Sequence, residues 1–450
     1  MNTRDVEQDL KQWFGQPLPD EPASLHAFIA KVSTQRVAAP QARWTTPRST
    51  VARLASLAAA VVLVAAVGIV VVAPAVLAPA TRPTAVAQPT VPPGAFVQTT
   101  SPLPGTGWDT ATSLEDGDVL LTGGRQPSPP DPAVLAALYD PATGGFTLTG
   151  SLVASGGRSQ PTATLLEDGR VLLTGGVGGS PATPGDALDS AELYDPRTRT
   201  FVATGSMSVP RVGHSAVRLQ DGRVLVMGGQ TGVFGAPRVL SSAELYDPTT
   251  GRFSPTGSMT VARGDAASVL LLDGSVLVVG GAGDSQLSSA EIYHPVSGTF
   301  SQAPSMQAAR QLPTATLLND GTVLVAGGWG MSGSEASAEL FDPIKNSFSS
   351  VGSMSIGRYE HVAQRLRSGA VLIAGGFCGG GGAPDSCGGT YGPPASAELY
   401  NPATHSFGPA GSLGDPRYLC VGASLGDGTV LVAGGQDADK ELSSAEIYRP

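Results

Sequence analysis

A ten-residue pattern ending in a glycine pair occurs seven times in this chain. The copies are EDGDVLLTGG (115–124), EDGRVLLTGG (167–176), QDGRVLVMGG (220–229), LDGSVLVVGG (272–281), NDGTVLVAGG (319–328), RSGAVLIAGG (367–376) and GDGTVLVAGG (426–435). A second motif follows each: LYDP at 138–141, AELYDP at 191–196 and 243–248, AEIYHP at 290–295, AELFDP at 338–343, AELYNP at 397–402 and AEIYRP at 445–450. The glycine pairs recur every 47 to 59 residues. A repeat of this length is one supersecondary unit that cannot bury its own faces, so the copies must stack on one another.

Each part of the unit reads as a strand or a turn. The run before Asp-Gly (HSAVRLQ, 214–220) and the VLV run after it are short, apolar and β-branched. Asp-Gly between them marks a tight hairpin, because glycine tolerates positive φ. The glycine pair ends the second strand where backbones approach closely or bend. AELYDP is a third strand with an aromatic, stopped by proline. A turn such as TTG leads to a fourth strand that opens on Phe146, Phe201, Phe253, Phe300, Phe348 or Phe407, each followed five residues later by a serine. Four antiparallel strands per copy make a blade, and blades stack around an axis.

These units resemble the kelch repeat in the glycine doublet, in the aromatic at a fixed distance and in the period. The resemblance spans residues 94–450 and implies an all-β, seven-bladed kelch-type β-propeller. The kelch pattern usually places Trp in the fourth strand, and Phe holds that place here, which changes a size in the packing between blades. The seventh Tyr-Pro strand reaches Pro450 without a fourth strand after it. The segment GAFVQTTSPL (94–103) carries the same spacing at Phe96 and Ser101 with no unit before it. It is expected to cross the ring and supply the missing strand, closing the propeller.

Ahead of the repeats the chain divides at 1–53, 54–80 and 81–93. No residue between Arg53 and Arg82 is charged, and about 20 apolar residues suffice to cross a bilayer. The LAPA sequence also resembles a signal-peptide cleavage site. The length of chain before the run favours an uncleaved transmembrane helix at 54–80. Arg36, Arg43, Arg48 and Arg53 precede it and only Arg82 follows, which places the N-terminus in the cytoplasm and the propeller outside the cell. Residues 81–93 (TRPTAVAQPTVPP) read as an extended spacer. Apolar spacing suggests two short helices near 3–16 and 25–32. A helix pair before a single span loosely resembles membrane-anchored regulators of sigma factors, although their His and Cys pattern is missing. A plain juxtamembrane tail is the simpler reading.

Charge narrows the partners. Residues 1–53 hold 7 basic against 5 acidic side chains, a balance of +2, and the remainder holds 20 against 32, a balance of -12. An acidic outer domain argues against nucleic acid.

An Arg stands ten residues before the turn Asp or Ser in six units: Arg158, Arg211, Arg263, Arg310, Arg358 and Arg417. The third strand of the same six units carries Glu192, Glu244, Glu291, Glu339, Glu398 and Glu446. Unit one has Thr106 and Ala137 at these registers, losing both together, which points to structural ion pairs. The alternative is a ring of anion-binding arginines. An isolated pair implies that mutating one Glu is more harmful than mutating both members.

Catalytic signals are sparse. Kelch propellers include the galactose-oxidase-like copper radical oxidases, which need two His, two Tyr and a Cys cross-linked to one Tyr. The outer region has His214, His294, His361 and His405, and no two show ligand spacing. Acid-base work at the channel mouth would fall to Asp109, Asp284 or Asp437, which otherwise read as solvated loop carboxylates. No metal, cofactor or catalytic residue is therefore expected. Cys378 and Cys387 flank GGGGAPDS in the longest loop and are expected to form a disulfide outside the cell, while Cys420 reads as a small core residue.

The loops between strands two and three vary most, and they share one end of a propeller with the connections between blades. Recognition usually sits on variable loops of a rigid scaffold. Trp329, Phe234, Arg238, Phe377 and Tyr391 are the candidate anchors for a protein or glycan ligand. An extracellular binding module on a single-pass anchor is the expected function. An extracellular sugar-acting enzyme of oxidase or lyase type, or a transmembrane signalling protein, are the alternatives.

Overall fold

The computed structural model describes residues 94–125, 134–154, 157–180, 183–232, 237–380, 387 and 391–450. The helices expected near 3–16 and 25–32, the uncharged run at 54–80 and the spacer at 81–93 lie outside these residues. Among the described residues no helix is long and apolar enough to cross a membrane.

Every unit folds as a four-stranded antiparallel sheet, and the described residues form seven such sheets. Blade three is representative, with strands Ser215–Arg218, Val224–Met227, Ala243–Asp247 and Arg252–Pro255 in that order across the sheet. Asp221 Oδ1 accepts the Arg223 N–H at 3.0 Å, so the Asp of Asp-Gly braces its own turn.

The second strand is apolar without interruption because both of its faces are covered. Successive side chains point to opposite faces. Val224 and Val226 pack with Leu172 and Leu193 of blade two, while Leu225 and Met227 pack with Val276, Val278 and Tyr293 of blade four. Each such buried side chain contributes roughly 1.5–3 kcal/mol. The second strand of each blade therefore stabilises its two neighbours as well as its own sheet.

The aromatics of strands three and four stand opposite each other. Tyr246 is in register with Phe253, and their ring centres are 4.9 Å apart. The Tyr246 hydroxyl also meets the Thr204 hydroxyl of blade two at 2.8 Å. Tyr194 with Thr149 and Tyr293 with Thr256 repeat this tie at 2.9 and 2.8 Å. Where the third-strand aromatic is Phe341, which has no hydroxyl, the threonine place is taken by Ala303 in the same cluster.

The glycine pair serves the junction between blades. In blade five Gly327 has φ +64°, and a Cβ there would lie 2.5 Å from the Arg358 carbonyl oxygen of blade six. The next residue, Gly328, donates its N–H to that same carbonyl at 2.9 Å. Only glycine allows this approach.

The first strands of successive blades neighbour one another around a closed ring, the last beside the first. Blade seven takes its outer strand from Ala95–Gln98, which pairs antiparallel with Ala445–Arg449: Phe96 stands opposite Tyr448 and Val97 opposite Ile447. Beyond this strand, Thr99 and Leu103 donate N–H bonds to the Ala445 and Ser443 carbonyls at 3.0 and 2.8 Å.

Candidate functional site

The end of the propeller that carries the glycine pairs also carries the longer loops, and a buried polar network fixes its backbone. In blade five Arg310 Nη2 donates to Glu339 Oε1 at 3.0 Å and to Ser337 Oγ at 3.0 Å. Arg310 Nη1 donates to the Gly327 and Ser337 carbonyls at 2.9 and 2.8 Å. Glu339 in turn accepts the N–H groups of Gln307 and Ala308 at 2.8 and 3.2 Å. The arrangement recurs as Arg158–Glu192, Arg211–Glu244, Arg263–Glu291, Arg358–Glu398 and Arg417–Glu446, at 2.9 to 3.1 Å. All six arginine side chains have 0% exposure. Their Nη groups are satisfied from within, and the Nε–H of Arg211, Arg263 and Arg310, which finds no partner, is itself buried, so no donor reaches an external anion. Burial pulls the Arg310 guanidinium down, and Glu339 and Glu335 oppose that. Unit one uses other chemistry: Trp108 is buried with Nε1 on the Gly105 carbonyl at 3.1 Å, and Thr106 bonds Glu441 at 2.6 Å.

Two residues past each buried Arg the backbone turns through positive φ, at Gln160, Gly213, Asp265, Leu312, Glu360 and Leu419. The turns link blade to blade: Asp265 donates its N–H to the Gly213 carbonyl at 2.8 Å, and Leu312 donates to that of Asp265 at 3.0 Å. Together they rim an axial cavity of about 700 Å³. Asp265, Glu360, Asp109 and Glu441 all line it, and none of its described lining residues is Lys or Arg. Gln311 Nε2 donates to Asp265 Oδ2 at 2.8 Å. Burial raises the Asp265 carboxyl, and it raises that of Glu360 to about 7, with the Asp265 charge adding to the effect on Glu360.

The two histidines at this mouth do not converge. His214 Nε2 meets the Thr162 and Thr174 hydroxyls of blade two, both at 3.0 Å, and His361 Nε2 meets the Thr314 hydroxyl of blade five at 3.0 Å. Burial drives both rings down to about 3, so they pack as neutral groups between blades. They do not fit a shared copper site. Among the described residues no group of three or more His, Cys, Asp or Glu is placed to hold a metal. Burial pushes the Cys420 thiol up to about 11. Asp284 is exposed in its loop, and Asp437 Oδ1 accepts the N–H groups of Asp439 and Lys440, both at 2.8 Å.

Beside the mouth runs a strip of aromatic rings over blades five to seven. Trp329 meets Tyr359 edge-on at 5.2 Å, and Tyr359 lies 5.7 Å from Phe377. Phe377 then contacts Tyr391 at 5.4 Å and Tyr418 at 4.9 Å. Tyr391 is 78% exposed, and Met331, two residues after Trp329, is 75% exposed. The loops beneath are tied: Ser334 of blade five donates its N–H to the Gly379 carbonyl at 2.9 Å, and its hydroxyl accepts the Gly379 N–H at 2.8 Å. A Cys378–Cys387 disulfide closes the adjoining Gly-rich segment.

Of the anchors expected from sequence, the fold brings Trp329, Phe377 and Tyr391 into one strip. Arg238 is exposed on the loop of blade three and lies outside it, and Phe234 lies outside the described residues. Sequence reading missed Tyr359, Tyr418, Asp265 and Glu360. A signal for them existed. Tyr359 and Tyr418 directly follow the paired Arg in units six and seven, and Asp265 and Glu360 come one residue later, at places that differ between otherwise similar units.

The Kelch motif is matched at residues 210–260, 264–307 and 313–355, which coincide with blades three, four and five. No curated protein matches the chain. Among solved structures it is similar to a novel fungal alcohol oxidase of the AA5 family in complex with copper, at 18% identity and TM-score 0.59, covering 79% of this chain and 76% of that one. It is also similar to the structure of YjhT, at 16% identity and TM-score 0.49, covering 64% of this chain and 94% of that one. At the identity of the oxidase the likeness is one of fold alone.

Proposed function

We propose that this chain, a seven-bladed β-propeller with Kelch motifs in three of its blades, is a binding module that captures a protein partner on its variable-loop face. The observation that carries this reading is the aromatic strip from Trp329 to Tyr418, partly exposed and braced from below by the Ser334–Gly379 tie. Exposed aromatics on a rigid base lose little entropy on binding and make strong anchors. The reading is of binding rather than oxidation, since the mouth histidines are committed to blade junctions. Presentation outside the cell on the 54–80 run belongs to the same proposal. It is supported by the uncharged character of that run and by a disulfide in a Gly-rich loop, which persists in an oxidising compartment.

A photo-crosslinking residue in place of Tyr391 tests this in the full chain. Discrete protein adducts are expected from position 391 and none from Thr249, an exposed turn residue at the opposite end. Identical adduct patterns from both positions would overturn the proposal.

A further inference from the structure

The mouth and the strip meet at Glu360. Its carboxylate lies close enough to Tyr359 and Tyr418 to raise both phenols further, after burial, and to act on the Cys420 thiol. Asp265 faces it from blade four. No described residue donates a hydrogen bond to the Glu360 carboxylate, and its neighbour His361 is neutral. The cavity thus gathers negative charge on a partly desolvated rim with no Lys or Arg among its described lining residues. A neutral ligand covering this rim would strand those carboxylates, whereas a cation would offset them. Tyrosine rings on the strip beside the mouth add a surface on which a cationic side chain can rest.

We infer that the partner of this face is a basic protein segment: one Lys or Arg side chain enters the axial mouth between Glu360 and Asp265, and its flanking residues lie on the aromatic strip. The inference rests on the binding reading above and adds the chemistry of the partner.

The test uses the full chain and fluorescein-labelled decalysine, decaglutamate and decaserine peptides, read by anisotropy at physiological salt. Decalysine is expected to bind and the other two are not. Glu360→Gln with Asp265→Asn should weaken decalysine binding by about tenfold or more. Removing two exposed carboxylates at the same end, with Asp284→Asn and Asp439→Asn, should weaken it by less than about twofold, as expected for screened charges. Binding by wild type should strengthen between pH 6 and 8 as Glu360 ionises near pH 7, and Glu360→Gln should remove most of that dependence.

Folding of the variant is checked by its melting curve. The Glu360 carboxyl titrates higher in the folded chain than its ordinary value of 4.5, so from about 4.5 to about 7 the folded state holds the extra proton. Stability falls as pH rises through that window, and Glu360→Gln should flatten this fall. Equal decalysine binding by wild type and the mouth variant, or preference for decaglutamate, overturns the inference. If position 391 still crosslinks a protein in that case, the binding reading stands and only the basic partner is lost.

Discussion

At the residue scale the six Arg–Glu pairs repay close reading. Two opposite charges at the same register suggest an isolated ion pair, but the folded chain makes each one a hub. Arg310 also caps the Gly327 and Ser337 carbonyls, and Glu339 also holds two loop N–H groups. Glu339→Ala leaves a buried guanidinium without its counter-charge and is expected to lower stability by about 3–5 kcal/mol. The double variant Arg310→Met/Glu339→Leu should lose less than the sum of its two singles. It should still lose more than about 2 kcal/mol, because several buried carbonyl and N–H groups forfeit their partners. Urea unfolding of wild type, Glu339→Ala, the double variant and its two singles decides this, and a double variant as stable as wild type would reduce the hub to an ordinary pair.

At the scale of the element, the second strand and its glycine pair define how one blade meets the next. The apolar run covers two neighbours at once, and the doublet lets a carbonyl of the following blade come within hydrogen-bond distance. Gly327→Ala forces a Cβ against the Arg358 oxygen and demands positive φ of a residue that resists it. A loss of about 2 kcal/mol or more is expected. Gly408→Ala supplies the contrast, since nothing lies within 4 Å of a Cβ there and its φ is outside the strained region. That change should be neutral or gain up to about 1 kcal/mol. Similar melting temperatures for the two variants would refute this account of the doublet.

For the whole molecule the decisive device is the borrowed outer strand. Ala95–Gln98 covers the edge of Ala445–Arg449, joins sequence-distant segments in one sheet and leaves no open half-blade. Phe96→Ala with Val97→Pro removes the ring contact with Tyr448 and one ladder N–H. Amides of residues 445–449 should then exchange faster with solvent, and oligomers should form at raised concentration through the bare edge. Phe348→Ala, which deletes the matching contact with Phe341 in blade five, should lower stability without hastening exchange in blade seven. Unchanged exchange at 445–449 in the first variant would remove the closing role from this strand.

Blade number, strand order and the Phe96 strand were legible from residues alone, because each blade is a set of local hairpins whose turns, glycine pairs and alternating side chains repeat in step. The Arg and Glu registers were legible for the same reason, and unit one exposed them by lacking both. The mouth was not legible. Asp265, Glu360, Tyr359 and Tyr418 belong to three different blades and stand at two registers whose residues vary among the units, so periodicity averages them away. Only closing the ring carries them to one axis, where burial and mutual charge give the carboxylates a character that no stretch of sequence holds by itself.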